Sequence, residues 1–180
     1  DYRSSVGLDT LLLPSMPGLT GNPAPWVRDF LRQAFLPAAL NVPDRLPRRF
    51  FVVRRGTRRI LNEAALAPVL ERFAIEPVQP ERLSFLEQVA LFARAELVVA
   101  PHGAALANLV FSQGNTSVVE LFSPNYVNVC FWAIAQLGGM RYSYLEGEGH
   151  RPAAGVDPHA VRDDLIVCPA RLSAWLESWL

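Results

Sequence analysis

Lysine is missing from this chain: all 17 basic residues are arginine. No Schiff-base lysine and no phosphate-loop lysine can therefore take part in its chemistry. Cysteine is scarce, and Cys130 and Cys168, both in apolar settings, are too few for a disulfide framework or a thiolate zinc site. Both are expected in the core. The histidines His102, His150 and His159 have no close His or Cys partner in the sequence, so no metal site is expected. No apolar run reaches the roughly eighteen residues of a membrane span. The opening DYRSSVGLDT lacks the basic and apolar regions of a signal peptide, and it lacks an initiating methionine, so a piece of a longer protein is expected. Neither GxGxxG, GxxxxGK[ST] nor GxSxG occurs, which removes the dinucleotide, P-loop and hydrolase-elbow signatures. Net charge is zero, which removes a global basic field for nucleic acid or membrane.

What is present is ample apolar material. Of 180 residues 51% are hydrophobic, enough for one domain with a substantial core. Residues 1–44 read as a Pro- and Gly-punctuated lead-in around one helix, PWVRDFLRQAFLP, with Pro25 near its start. From residue 45 onward the pattern becomes regular. RFFVVRR is a continuous apolar run suited to a strand covered on both faces. NEAALAPVLERF predicts a helix, AIEPVQ a short strand, and LSFLEQVALFARA a helix opened by a capping box of Ser84 and Glu87. ELVVA, SVVELF, RYSYLE and DLIVC predict strands; AALANLVF, YVNVCFWAIAQLG and PARLSAWLESWL predict helices. The alternation predicts an α/β fold, a Rossmann-like three-layer α/β/α sandwich on a mostly parallel sheet. The segment from Gly147 to Pro158 reads as a loop, either a lid or a connection.

In open sheets of this kind ligands bind beyond the carboxyl ends of the strands, and three strand exits qualify. The first runs from Arg54 to Asn62. It belongs to a stretch with seven arginines and no acid between Arg45 and Arg59. Arg45, Arg48 and Arg49 precede the strand and are expected at its opposite end. Of Arg54, Arg55, Arg58 and Arg59, one or two are expected to grip an anion through the guanidinium fork. The second exit is Pro101 to Asn108. Gly103 omits a Cβ at the turn, Ala104 and Ala105 keep the first helical turn small, and free N–H groups with His102 beside them would hold an anion. The same residues also suit a tight packing turn with a structural histidine. The third exit carries Glu120, whose carboxylate would either accept from two ribose hydroxyls or serve as a surface cap.

RRGTRRILNE, LSFLEQVALFARAELVVAPHGAALANLVF and SVVELFSP, in this order and spacing, resemble glycosyltransferase family 61. The resemblance covers about Phe50 to Tyr144. It implies a GT-B architecture in which this chain is the carboxyl-terminal domain that binds a nucleotide-sugar, usually UDP-linked, with the acceptor domain absent. It implies inverting transfer to a glycan or polysaccharide hydroxyl, with no metal or other cofactor. The donor site implied has Arg54, Arg58, Arg59 and Asn62 along the arginine loop. Ser84, Phe85 and Gln88 would flank uracil or ribose, His102, Gly103, Ala104, Ala105 and Asn108 would face the diphosphate, and Glu120 the ribose. His102 is the candidate catalytic residue, as leaving-group stabiliser or as base, and the base is otherwise expected in the absent domain. The alternative is a non-catalytic nucleotide- or anion-binding module. The all-arginine composition favours a bacterial glycan pathway of the capsular-polysaccharide type, cytoplasmic or inner-membrane-associated.

Overall fold

The computed structural model describes residues 10, 15, 23–149 and 160–179. Most of the expected lead-in before residue 23, residues 150–158 of the loop from Gly147 to Pro158 (His150 among them), and His159 lie outside the described residues. Five strands make one parallel sheet: β1 (Arg49–Val52), β2 (Glu76–Val78), β3 (Leu97–Pro101), β4 (Ser117–Phe122) and β5 (Arg141–Glu146). Their order is β2-β1-β3-β4-β5. The helices are α1 (Pro25–Ala39), α2 (Glu63–Arg72), α3 (Phe85–Ala93), α4 (Cys130–Leu137) and α5 (Pro169–Trp179).

Side chains alternate across a strand, and here the alternation sorts the core into two layers. Phe50, Val52, Val98, Ala100 and Val118 pack under α3 and α4, with Leu31, Phe35 and Leu36 of α1 against them. Phe51, Val53, Leu97, Val99, Val119 and Leu121 pack under α2 and α5 through Leu66, Leu70, Leu172 and Leu176. Both faces of the sheet are covered, which is why its inner strands read as continuous apolar runs. The three-layer α/β/α sandwich is present as the sequence predicts.

Three elements differ from expectation. AALANLVF folds as a 3-10 helix, Ala104–Phe111, rather than an α-helix. Leu106 and Leu109, three apart and fully buried, match its three-residue turn. The Arg32 guanidinium of α1 holds its end, donating to the carbonyls of Val110 (3.2 Å), Phe111 (2.6 Å) and Ser112 (2.9 Å). DLIVC forms no full strand. It makes one parallel bridge, Leu165 to Ile60, and one antiparallel bridge, Ile166 to Glu148. Its alternation is genuine, with Leu165 and Val167 buried and Ile166 exposed, but its main partner is the irregular segment after β1. Finally, α1 is more than part of a lead-in: Phe35 meets Phe85 edge to face at 4.9 Å, tying it to α3.

Candidate functional site

The chain passes from β1 to α2 on one face of the sheet, and from β3 to the 3-10 helix on the other. The neighbouring strands β1 and β3 therefore diverge at their carboxyl ends, which is the switch point where ligands of this strand order bind. A cleft of 350 Å³ opens there, lined by Arg54, Arg55 and Gly56 after β1, Pro80 and Glu81, Gln88 of α3, and Ala104, Ala105 and Asn108 of the 3-10 helix. The Arg54 guanidinium is fixed by donating to Thr57 O (3.0 Å) and His102 O (3.2 Å). A Cβ on Gly103 would collide with Arg54 Nη1. Glycine is required for that close approach and not for its torsion, since φ of 163° is extended backbone. Burial, then the nearby Arg58, lowers the Arg54 pKa, with Glu81 opposing. Opposite, Asn108 Nδ2 donates to Gln88 Oε1 (3.2 Å) and to Ala105 O (3.2 Å), so the two amides hold each other at the cleft wall. The first N–H groups of a helix lack partners within it, and those of the 3-10 helix begin at this cleft. One guanidinium, two amides and a helix start give this cleft groups able to hydrogen-bond an anion, with the Glu81 carboxylate on the same wall.

Next to it lies a buried polar chain. His102, Glu120 and Tyr142 occupy even positions on or just beyond β3, β4 and β5, so all three face the α3/α4 layer. Glu120 is fully buried. Its Oε1 sits 2.5 Å from His102 Nδ1 and its Oε2 accepts from the Tyr142 hydroxyl at 2.5 Å. The His102 ring stacks on Phe122 at 5.2 Å and meets Phe131 and Tyr126 at 5.0 and 5.4 Å. Burial and then the Glu120 charge push the Tyr142 hydroxyl far above its usual range, keeping it protonated and a donor. Burial and then Glu120 likewise raise the Cys130 thiol, which is therefore no ready nucleophile.

A sequence profile described as Glycosyltransferase 61 matches residues 5–119, more than half of the chain. The chain belongs to glycosyltransferase family 61. It is similar to the EGF domain-specific O-linked N-acetylglucosamine transferase of Drosophila melanogaster, 31% identical over 137 residues, 67% of this chain and 26% of that protein. The enzymes of the same name from Xenopus laevis and Bos taurus are 29% identical over 125 residues (61% and 24%) and 27% identical over 138 residues (66% and 26%). The chain spans about a quarter of the length of these curated relatives. All three of these relatives are animal proteins.

The family resemblance drew thirteen residues to one donor site, and the structure divides them. Arg54, Gln88, Ala104, Ala105 and Asn108 line the cleft, with His102 and Gly103 adjoining. Glu120 does not open onto it: β4 continues to Phe122, so Glu120 is an interior strand residue with both oxygens occupied. Arg58 donates to Val161 O (3.1 Å) from a left-handed backbone, φ 60°. Arg59 clasps Asp164 through Nη2 (2.6 Å) and Nε (3.0 Å), which holds the Asp164 carboxyl below its usual range. Asn62 brackets Val167, donating to its O (2.8 Å) and accepting from its N–H (3.0 Å). Ser84 is the N-cap of α3, with the predicted capping box formed. Phe85 packs against Phe35 and Phe111. Sequence reasoning missed Tyr142 and Glu81. Tyr142 had a readable signal, its even position beside a glutamate embedded in an apolar strand; Glu81 had none. Among the described residues no group of three or more His, Cys, Asp or Glu is placed to hold a metal, and no helix is long and apolar enough to cross a membrane.

Proposed function

We propose that this chain is the donor-binding domain of an inverting glycosyltransferase that takes a UDP-linked sugar and serves a glycan or polysaccharide hydroxyl as acceptor. The observation that carries the reading is the cleft at the β1/β3 switch point, with Arg54 fixed against Gly103 and a helix start opposite. In this reading the diphosphate lies between the Arg54 guanidinium and the N–H groups at Ala104 and Ala105. Cationic and N–H donors there stabilise the departing diphosphate without a metal. Gln88 and Asn108 offer amide edges to the base or the sugar. Glu81, the carboxylate on the cleft wall, takes the ribose hydroxyls in place of the buried Glu120. The relatives are named for N-acetylglucosamine and EGF domains; for this chain the proposal is the UDP-sugar class, with a capsular-type bacterial glycan as acceptor and the cytoplasmic side of the membrane as its place of work.

Thermal unfolding with UDP, GDP, CMP, ADP and inorganic diphosphate, each with and without EDTA, tests the reading. Ligand at about a hundred times its Kd adds about 2.7 kcal/mol, or several degrees of Tm for a domain of this size. The expected result is a shift selective for UDP, indifferent to EDTA and lost in Arg54→Ala. Equal shifts with all nucleotides and diphosphate would reduce the cleft to a general anion site. No shift with any of them would overturn the reading.

A further inference from the structure

β5 is an edge strand, and its even positions face the α3/α4 layer. Two of them, Tyr142 and Tyr144, are only partly covered there. With Phe122 of β4, Trp132 of α4 and Asn128 between two valines, they line a pocket of about 300 Å³ that the donor-site reading does not use. Trp132 and Tyr144 are 46% and 52% exposed, and Val127 and Val129 are exposed beside them. Single exposed apolar residues are ordinary, but a cluster of them marks a place where something binds. The rings are braced from behind. Phe122 stacks on the His102 ring at 5.2 Å, and Tyr144 meets Phe122 edge-on at 6.0 Å. Tyr142 has its hydroxyl committed to Glu120, so it offers the pocket a ring and no free donor.

Charge decides what fits. Among the described residues no Asp, Glu, Arg or His lines the pocket, and the charged group touching its wall is the buried Glu120 carboxylate bonded to Tyr142. An anion gains nothing here, which sets this pocket apart from the cleft that holds Arg54. Aromatic faces are electron-rich. Their complement is an uncharged ring whose face carries slightly positive C–H bonds, and a pyranose has such a face with hydroxyls around its edge. For those hydroxyls the lining supplies the Tyr144 hydroxyl and the Asn128 amide. Asn128 Oδ1 accepts from the Cys130 N–H at 3.0 Å and Nδ2 donates to the Tyr126 hydroxyl at 3.3 Å, which leaves one amide N–H to give. The volume is at the small end of the roughly 300–1,000 Å³ of ligand pockets, suited to one ring rather than a chain. β5 stands two strand spacings, about 10 Å, from β3. An oligosaccharide anchored here by one ring is thus near enough to offer another at the cleft.

We propose that this pocket is a carbohydrate subsite that holds one uncharged pyranose ring of the glycan acceptor, stacked on Trp132 and Tyr144. It rests on the glycan-acceptor part of the reading above and not on the nucleotide.

Saturation-transfer NMR on the whole chain without nucleotide tests it, using cellobiose, maltose and N,N′-diacetylchitobiose as probes and choline as a cationic control. At least one disaccharide is expected to receive saturation at its ring C–H protons. Trp132→Ala should raise its Kd about two- to tenfold, the scale of one lost aromatic contact. Trp132→Phe, which keeps a ring face, should retain most of the binding, and an unchanged Tm in both variants keeps folding out of the comparison. Adding UDP should leave the saccharide bound. Displacement by UDP would put the sugar in the cleft and refute the subsite, as would no saturation of any disaccharide or equal binding by Trp132→Ala. A response to choline alone would make the pocket a cation cage, and a dimer in sedimentation that Trp132→Ala dissociates would make it a self-interface; either result overturns the proposal. Absence of UDP binding would sink the donor-site reading and leave the saccharide titration to stand or fall by itself.

Discussion

Replacing Asn62 with alanine separates two roles for a residue that the family resemblance places at the donor. The side chain brackets Val167, donating at 2.8 Å and accepting at 3.0 Å. Val167 is 3% exposed, so both of its backbone groups would lose their partner in a place where water replaces it poorly. Each unsatisfied buried group costs about 1–3 kcal/mol, which puts the substitution near 3 kcal/mol overall, a large fraction of the 5–15 kcal/mol typical of a domain. For 150–250 residues each kcal/mol moves Tm by about 2–4 °C, so a fall of roughly 6–12 °C is expected. Differential scanning calorimetry of wild type and Asn62→Ala measures it directly. UDP affinity, measured below the lowered Tm, should change less than about twofold because no ligand contact is lost. A Tm within about 1 °C of wild type together with a tenfold loss of UDP affinity would refute the bracket and return Asn62 to the ligand.

Three further outcomes are expected. Gly103→Ala places a methyl where Arg54 Nη1 lies; the extended backbone tolerates alanine, so Tm should change little while UDP binding falls about tenfold as the guanidinium is displaced. Ser84→Ala removes the capping box of α3, and urea unfolding should show a loss of about 1 kcal/mol with an unchanged slope. Tyr142 has its folded pKa raised, so its contribution to stability is complete below the unfolded tyrosine value near 10 and is lost as pH rises above it. Tyrosinate absorbance at 295 nm in the native protein near pH 11 should therefore be the same in wild type and Tyr142→Phe, and a smaller signal in the variant would show that Tyr142 ionises normally.

The layers were legible because they depend on short-range periodicity. Phe50 and Phe51 begin runs whose alternate members enter opposite cores, and Ser84 with Glu87 marked the start of α3 three residues apart. The position of the cleft was legible too, since a parallel strand order fixes which loops meet. What was hidden depends on contacts distant in sequence. Arg58, Arg59 and Asn62 read as free donor groups because their partners Val161, Asp164 and Val167 lie about a hundred residues away. Glu120 reads as a strand-end carboxylate even though SVVELF delimits β4 correctly, because the groups that occupy its two oxygens, His102 and Tyr142, belong to the flanking strands 18 and 22 residues away. The 3-10 geometry of Ala104–Phe111 escaped for a related reason: its spacing of three between Leu106 and Leu109 also fits an α-helical face.

The seam between residues 58–62 and 161–167 has a consequence in time as well as in space. Arg58 to Val161, Arg59 to Asp164, Leu61 N to Leu165 O and Asn62 to Val167 all close across more than a hundred residues. A ribosome adding about 5–20 residues each second leaves the arginine loop waiting several seconds for the segment that holds it. Contacts of such long separation close after local ones. During synthesis the β1 exit is thus the last part of the cleft to settle. A nascent chain halted before residue 161 would hold all five strands and an Arg54 already tied to Thr57 and His102, but Arg58, Arg59 and Asn62 would be untethered and α5 missing from its layer, so the loop after β1 takes its final shape only once residues 161–167 have been made.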